Sequence, residues 1–195
     1  MAEMNRWSRW FVNRSNARRS AKVLRILGPH LELPAAPRIL ELGAGRGGLS
    51  ALLVDRFRPS KLVVSDFDPE QIEAARSYLG RRFGTLPPSI ELRRVDAMQI
   101  PFEAGTFDCV FAIAMLHHVE AHHFDYRERP KALAEIQRVL APGGVLAFSE
   151  FSRTVEMRRT LIELGFLPRF ERPGWRGREL AVFGTRVVGA PDRRS

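Results

Sequence analysis

The sequence predicts an α/β fold of three layers, in which helices cover both faces of a doubly wound, mostly parallel sheet of seven strands. Three observations support this prediction. Short apolar runs alternate with amphipathic helical segments along most of the 195 residues. A glycine-rich turn follows the first strand, where open α/β sheets bind nucleoside cofactors. Two further strands form a hairpin near the C-terminus, which gives an antiparallel pair at the edge of the sheet.

The first predicted element is an amphipathic helix over Asn5–Leu27, and Gly28-Pro29 ends it. Apolar strands are predicted next at Arg38–Leu42, Lys61–Phe67, Ile90–Val95, Phe107–Ile113 and Val145–Phe148. The intervening helices are predicted at Leu49–Phe57, from Pro69 through Leu79, and at Pro130–Leu140, where the turn Pro142-Gly143-Gly144 stops the helix. A helix over Val155–Leu164 and the strands Phe166–Glu171 and Glu179–Val187 complete the series.

Composition limits the class of protein. The longest apolar run, Cys109–Leu116, is far shorter than the ~20 residues of a membrane-spanning helix. The N-terminal segment has no continuous apolar stretch, so no secretory signal is expected. Cys109 is the only cysteine, which excludes a disulfide framework and predicts a cytoplasmic setting.

The net charge of +9 is concentrated on the two flanks of the chain. Residues 1–38 carry eight Lys or Arg against two acidic residues, and residues 151–195 carry ten against five. Nearly all of this excess is arginine, which a GC-rich genome explains through codon usage. An acidic partner, either nucleic acid or an anionic membrane, is the alternative explanation.

The turn after the first strand fits two cofactor patterns. Gly43, Gly45 and Gly48 fit the dinucleotide pattern G-x-G-x-x-G, whereas Glu41 with Gly43, Gly45 and Gly47 fits the E-x-G-x-G-x-G pattern of S-adenosylmethionine (SAM) binders. Glycine permits positive φ, and it lets the backbone approach a ligand with which a Cβ would collide. The turn alone therefore does not distinguish the two cofactors.

Two aspartates follow the next strands. Asp66 ends the second strand, where a carboxylate can accept hydrogen bonds from both ribose hydroxyls of NAD or SAM, while its charge disfavours the 2′-phosphate of NADP. Asp68 precedes Pro69 and is predicted to cap the following helix. Asp96 follows the third strand, where it either accepts from an adenine amino group or satisfies amides of its own loop.

Six motifs occur in order and together resemble the class I SAM-dependent methyltransferases over about residues 36–150. They are Glu41-x-Gly43-x-Gly45-x-Gly47, Asp66, Val95-Asp96-Ala97, Phe107-Asp108-Cys109-Val110, Leu116-His117-His118 and Leu140-Ala141-Pro142-Gly143-Gly144. The resemblance implies the strand order 3-2-1-4-5-7-6 with the last strand antiparallel. It also implies SAM as cofactor and S-adenosylhomocysteine as product, and it makes an NAD-dependent oxidoreductase a remote alternative.

The resemblance assigns roles around the cofactor. Glu41 would orient the methionine end, and the backbone of Gly43, Ala44 and Gly45 would pass beneath it. The remaining positions are Asp66 at the ribose, Phe67 beside adenine, Asp96 and Ala97 at the adenine edge, and the carbonyl of Ala112, just past the fourth strand, at the ammonium group.

The sequence has fewer signals for the residues that bind the methyl acceptor. His117 and His118 follow the fourth strand, and either could act as a general base if the acceptor must lose a proton. His118 and His122 would share a helical face at metal-binding spacing, but no clear third and fourth ligand follows, so no metal site is predicted.

Acceptor recognition is assigned to the N-terminal segment and the loop His117–Arg129. The expected organisation is an N-terminal helical lid over residues 1–34, a SAM-binding core over residues 35–188 and a disordered tail over residues 189–195. The substrate candidates in the lid are Trp7, Trp10, Phe11 and Arg14. The alternative is a basic aromatic helix that lies on an anionic membrane.

The predicted function is SAM-dependent transfer of a methyl group to O, N or C of a small or lipophilic metabolite. RNA methylation through the basic flanks is an alternative, but the sequence has no RNA-binding module or base-flipping motif, so a nucleic-acid partner is not expected. A non-catalytic, SAM-binding regulatory protein is the other alternative.

Overall fold

The computed structural model describes residues 16–173 and 179–185. Its seven-stranded sheet has the order β3-β2-β1-β4-β5-β7-β6, with strands β1 Arg38–Leu42, β2 Lys61–Asp66, β3 Ile90–Arg94, β4 Phe107–Ile113, β5 Leu140–Glu150, β6 Leu167–Pro173 and β7 Glu179–Gly184. The first five strands pair in parallel, and β7 pairs antiparallel with both β5 and β6. The predicted fold class and strand order are therefore confirmed.

Helices connect the strands and cover both faces of the sheet. They are α1 Asn16–Leu27, α2 Gly48–Phe57, α3 Pro69–Phe83, α4 Arg129–Val139 and α5 Thr154–Glu163, with 3-10 turns at Gly28–His30 and Leu116–Val119. No helix in the described ranges is both long and apolar enough to cross a bilayer.

Alternating side chains of each strand form two separate cores. Ile39 of β1 belongs to the core with α1, α2 and α3, whereas its neighbour Leu40 belongs to the core with α4 and α5. Both residues are completely buried. This alternation is the two-residue period of a strand, and burial of both faces explains why the sequence of β1 is almost continuously apolar.

The described part of the N-terminal helix is anchored in the core. Val23, Leu24 and Leu27 of α1 are buried in the core that α2 and α3 share. The four predicted substrate residues, Trp7, Trp10, Phe11 and Arg14, lie outside the described residues. So do the turn 174–178 of the closing hairpin and residues 186–195.

The Pro-Gly-Gly segment differs from the prediction. Helix α4 ends at Val139, and β5 begins at Leu140, five residues before the predicted start. The strand pairs Phe107 with Leu140 and then Cys109 with Val145, so Pro142-Gly143-Gly144 forms an irregularity within the strand. Gly143 has φ 79°, a conformation that glycine adopts at bulges. Proline and two glycines indicate a turn in the sequence, whereas tertiary pairing makes this turn a bulge.

The parallel strands end at a common edge of the sheet. Glu41 lies near the end of β1, Asp66 ends β2, and Glu150 ends β5. Because β1, β2, β4 and β5 run in the same direction, these carboxylates are brought to the edge where α/β sheets bind ligands.

Candidate active site

The turn between β1 and α2 has the backbone that its glycines predict. Gly43, Gly45 and Gly47 have φ values of 67°, 55° and 77°, all in the left-handed region that favours glycine. The Ala44 N–H donates to the Ser65 carbonyl at 2.8 Å, and the Gly47 N–H donates to the Ala44 carbonyl at 3.0 Å. The turn is therefore fixed against β2 before α2 begins.

Gly43 is required for a reason that the sequence did not reveal. A Cβ built on Gly43 would lie 2.5 Å from the Cβ of Met115, which follows β4. The expectation was that such a Cβ would collide with a ligand, whereas here it collides with the protein. The turn thus packs directly against the segment that leads to the histidines.

Glu41 is a buried carboxyl group under this turn. Ser50 of α2 donates a hydrogen bond to its Oε2 at 2.6 Å. Burial raises the pKa of Glu41 to about 8, against the lowering effect of Ser50 and with a smaller raising effect from Asp66. A cation placed beside Glu41 would restore its charge, so this position is suited to a positively charged ligand group.

Asp66 holds the glycine turn at the end of β2. Its Oδ2 accepts from the Gly45 N–H at 2.9 Å, and its Oδ1 accepts from the Asp68 N–H at 3.0 Å. Burial raises its pKa, although the amides of Asp68 and Gly45 lower it. Asp68 accepts from the Glu70 N–H at 2.9 Å, which confirms the predicted helix cap.

The predicted adenine-side residues lie on the neighbouring connections. Arg94 donates to the Phe67 carbonyl at 3.0 Å, and its guanidinium lies 4.8 Å from the centroid of the Phe67 ring. Asp96 accepts from the Met98 N–H at 2.9 Å, so the local role left open for it is present. A carboxylate has about four acceptor positions, so this bond still allows Asp96 to accept from a ligand. Ala97 is buried beside it.

Ala112 is misplaced by the sequence prediction. It lies within β4 rather than past it, where it is completely buried and pairs with Leu42 and Phe148. The chain leaves the sheet at Ala114, which has φ 54° and donates its N–H to the Ser149 carbonyl at 2.7 Å. Positive φ is uncommon for a residue other than glycine, and the sequence has no signal for it at Ala114.

His117 forms a buried pair with Glu150, a residue that the sequence analysis missed. The Nδ1 of His117 lies 2.8 Å from Glu150 Oε1, and the His117 N–H donates to Glu150 Oε2 at 3.1 Å. Burial acts to raise the pKa of Glu150, but the His117 hydrogen bond and charge lower it overall. An acidic residue directly after the apolar run of β5 is the signal that could have identified it.

Two more histidines adjoin this pair. The ring centroids of His118 and His123 lie 4.0 and 4.9 Å from that of His117, and 5.1 Å from each other. Burial and the charges of His117 and His123 lower the pKa of His118 to about 4. The predicted pairing of His118 with His122 on a helical face is wrong, because the 3-10 turn ends at Val119 and Glu120 is extended.

A buried ion pair fixes the loop after the histidines. Glu120 accepts the backbone N–H groups of Arg127, Glu128 and Arg129, and it thereby caps α4 from a distance. The completely buried Arg129 donates to the Ser152 carbonyl at 2.7 Å and to the His123 carbonyl. These contacts join the loop to the connection between β5 and α5.

Comparison with known proteins places these features in a family. A family model described as a methyltransferase domain matches residues 40–148, more than half of the chain. A demethylmenaquinone methyltransferase of Thermus thermophilus is 36% identical over 124 residues, which are 62% of this chain and 50% of the relative. A ubiquinone/menaquinone biosynthesis C-methyltransferase of Hahella chejuensis is 30% identical over 149 residues, 75% of this chain and 49% of the relative. The chain thus spans about half the length of these curated relatives.

A solved structure shows the same fold. A SAM-dependent methyltransferase from Aquifex aeolicus superposes with a TM-score of 0.75 at 16% identity, over 93% of this chain and 99% of that one. At this identity the likeness shows the fold alone.

Proposed function

Because this chain belongs to the methyltransferase domain family, we propose that it transfers a methyl group from SAM to O, N or C of a small or lipophilic metabolite. SAM is the cofactor of the family. The observation that carries the proposal is the match over residues 40–148, which includes the glycine turn, Asp66, Asp96 and His117. The relatives named for quinone methylation support a lipophilic acceptor.

The residues around the glycine turn fit SAM. Burial raises the pKa of Glu41, and a ligand cation such as the ammonium of SAM would stabilise its charged form. We assign the methionine end to Glu41, to the backbone of Gly43, Ala44 and Gly45, and to Ala112. We assign the ribose to Asp66 and the adenine to Phe67, Asp96 and Ala97. When bound, SAM supplies an electrophilic methyl group on a sulfonium.

His117 is the residue to which we assign proton removal from the acceptor. Its Nδ1 is directed to Glu150, so in the neutral ring the Nε2 carries the lone pair that accepts a proton. Glu150 acts as a positioning residue, because its contact with Nδ1 fixes the orientation of the ring. His118 has no such carboxylate at hydrogen-bond distance among the described residues, so we assign it to the wall of the site.

The N-terminal segment remains part of the proposal. We assign residues 1–34 to a lid segment that recognises the acceptor through Trp7, Trp10, Phe11 and Arg14 and that is anchored to the core by the buried side chains of α1. We assign residues 35–188 to the catalytic core and residues 189–195 to a tail. A cytoplasmic enzyme that touches an anionic membrane through this basic segment would meet a lipophilic acceptor at its source.

Transfer of isotope-labelled methyl groups from SAM to a cell extract tests the proposed activity. We expect label in the small-molecule or lipid fraction with the wild type and with Asp55→Ala, a control that removes only the exposed ion pair with Arg82. Asp66→Ala should lose SAM affinity by about 10-fold or more, because a carboxylate hydrogen bond contributes about 1.5–3 kcal/mol. His117→Ala should bind SAM normally but transfer about 100-fold more slowly.

Other outcomes identify the alternatives. Label in the RNA fraction would show a nucleic-acid methyltransferase. SAM binding by calorimetry without any transfer would show a regulatory protein, and NAD binding without SAM binding would exclude the assigned cofactor pocket.

A further inference from the structure

The histidines after β4 form a cluster with the composition of a metal site. Ring nitrogens of His117, His118 and His123 all lie within 4.8 Å of one another, and no other group of three such ligands occurs in the described ranges. The chain has five histidines, so this cluster holds most of them. From this cluster we infer that His117, His118 and His123 bind a divalent transition-metal ion of the zinc type. Imidazole nitrogens are preferred ligands of such ions.

Glu150 provides an independent observation that points to the same ligand. Its Oε1 lies 2.8 Å from the Nδ1 of His117, which leaves Nε2 as the ring nitrogen available to an ion. Histidines that bind metals almost always donate their other ring N–H to a carboxylate or carbonyl group in this way. His117 is therefore oriented with its Nε2 as the coordinating atom.

The backbone of the cluster is fixed at both ends. The His118 N–H donates to the Met115 carbonyl at 2.9 Å within the 3-10 turn. The His123 carbonyl accepts from Ser152 Oγ at 2.8 Å and from buried Arg129. Three imidazoles on two anchored segments need only side-chain movements to bind an ion, which reduces the entropy lost on binding.

Small ring movements complete the geometry. Zinc binds histidine nitrogens at about 2.0–2.1 Å in a tetrahedral arrangement, which places the nitrogens about 3.4 Å apart. His123 is exposed and His118 only partly buried, so rotation of these two rings would bring the nitrogens to this spacing. Three protein ligands leave one coordination position for water or for an oxygen or sulfur atom of a small molecule.

Metal binding has a consequence for the reaction, and this consequence alone rests on the proposed function. The Nε2 of His117 cannot coordinate an ion and accept a proton at the same time, since both use one lone pair. The metal-bound protein would therefore lack its proton acceptor, and zinc would act as an inhibitor of methyl transfer.

Binding of Zn²⁺ to the full chain without SAM tests the site independently of any activity. We expect one equivalent to bind in competition with a chromophoric chelator. His123→Ala should weaken binding by at least about 100-fold, because loss of an outer-shell partner alone costs about 10–100-fold. His122→Ala removes an exposed neighbouring histidine outside the cluster and should bind as the wild type does.

Cobalt provides a readout that does not depend on the variants. Co²⁺ bound to wild type should give the intense visible absorption of tetrahedral coordination, and Zn²⁺ should displace it. Absence of stoichiometric Zn²⁺ binding by the wild type overturns the inference. So does equal affinity of folded His123→Ala and His122→Ala. If His123→Ala does not fold, a wild-type cobalt spectrum without tetrahedral bands overturns it as well.

Discussion

At the scale of single residues, Glu41 links the proposed cofactor pocket to stability. Its pKa is raised from 4.5 to about 8 by burial, so the folded protein binds this proton more tightly than the unfolded chain does. The contribution of this proton to the free energy of unfolding is fully present below pH 4.5 and is lost as the pH rises towards 8. Each unit of difference between the folded and unfolded pKa of Glu41 corresponds to about 1.4 kcal/mol of unfolding free energy.

Glu41→Gln should remove this pH dependence. The amide keeps a partner for Ser50 but does not titrate, so the unfolding free energy of the wild type should fall relative to that of the variant between pH 4.5 and 8. Denaturant unfolding at several pH values measures the difference. Exposed Glu163→Gln should follow the wild type throughout, and parallel curves for Glu41→Gln and wild type would contradict the assignment.

At the scale of elements, the turn between β1 and α2 connects the proposed cofactor pocket to the segment that carries His117 and His118. Gly43 contacts Met115 so closely that a methyl group does not fit, and its φ of 67° disfavours any other residue. A change in this turn should therefore affect both stability and the position of His117 and His118.

Gly43→Ala should lower the unfolding free energy by about 2–4 kcal/mol, the sum of left-handed strain and overpacking. SAM affinity should fall with it. The matched control is Gly80→Ala, because nothing lies within 4 Å of a Cβ built on this helical glycine. That variant should gain about 0.5–1 kcal/mol. Thermal unfolding compares the two, and equal stability of both variants would contradict the Met115 contact.

At the scale of the whole molecule, deletion of the basic N-terminal flank tests whether the protein associates with an anionic membrane. Residues 1–15 carry Arg6, Arg9 and Arg14 around aromatic residues. Val23, Leu24 and Leu27 of α1 are part of the core, so a deletion that extends into α1 would destabilise the fold. A deletion must therefore end before Asn16.

Removal of residues 2–15 should abolish sedimentation with anionic liposomes but leave the core folded. The full chain should sediment with anionic vesicles and not with neutral ones, and the binding should weaken at high salt because charges are screened. Recovery of both proteins in the supernatant would contradict membrane contact. Circular dichroism of the deletion variant verifies that the core is retained.

The sequence predicted the elements that local pattern determines. The strand β1, the turn at Gly43, Gly45 and Gly47, and the cap at Asp68 depend on residues close in the chain, and all three are confirmed. The bulge in β5 was missed because only pairing with β4 distinguishes it from a turn. Ala112 was described as past the fourth strand, although the predicted strand Phe107–Ile113 contains it and is confirmed.

The sequence by itself determined the fold class, because alternating apolar strands and amphipathic helices constrain the backbone directly. Its resemblance to the class I methyltransferases implied the family, the cofactor and the order of the sheet, which the glycine turn alone left open. Only the tertiary structure decided which side chains meet around His117, at the proposed acceptor side. Glu150 lies thirty-three residues from His117 in the chain, and their contact exists because β4 and β5 run parallel and end at the same edge. His123 reaches His117 through a loop that Glu120 and Arg129 fix from other elements. Local pattern cannot encode such contacts, because the forces that form them act between distant segments.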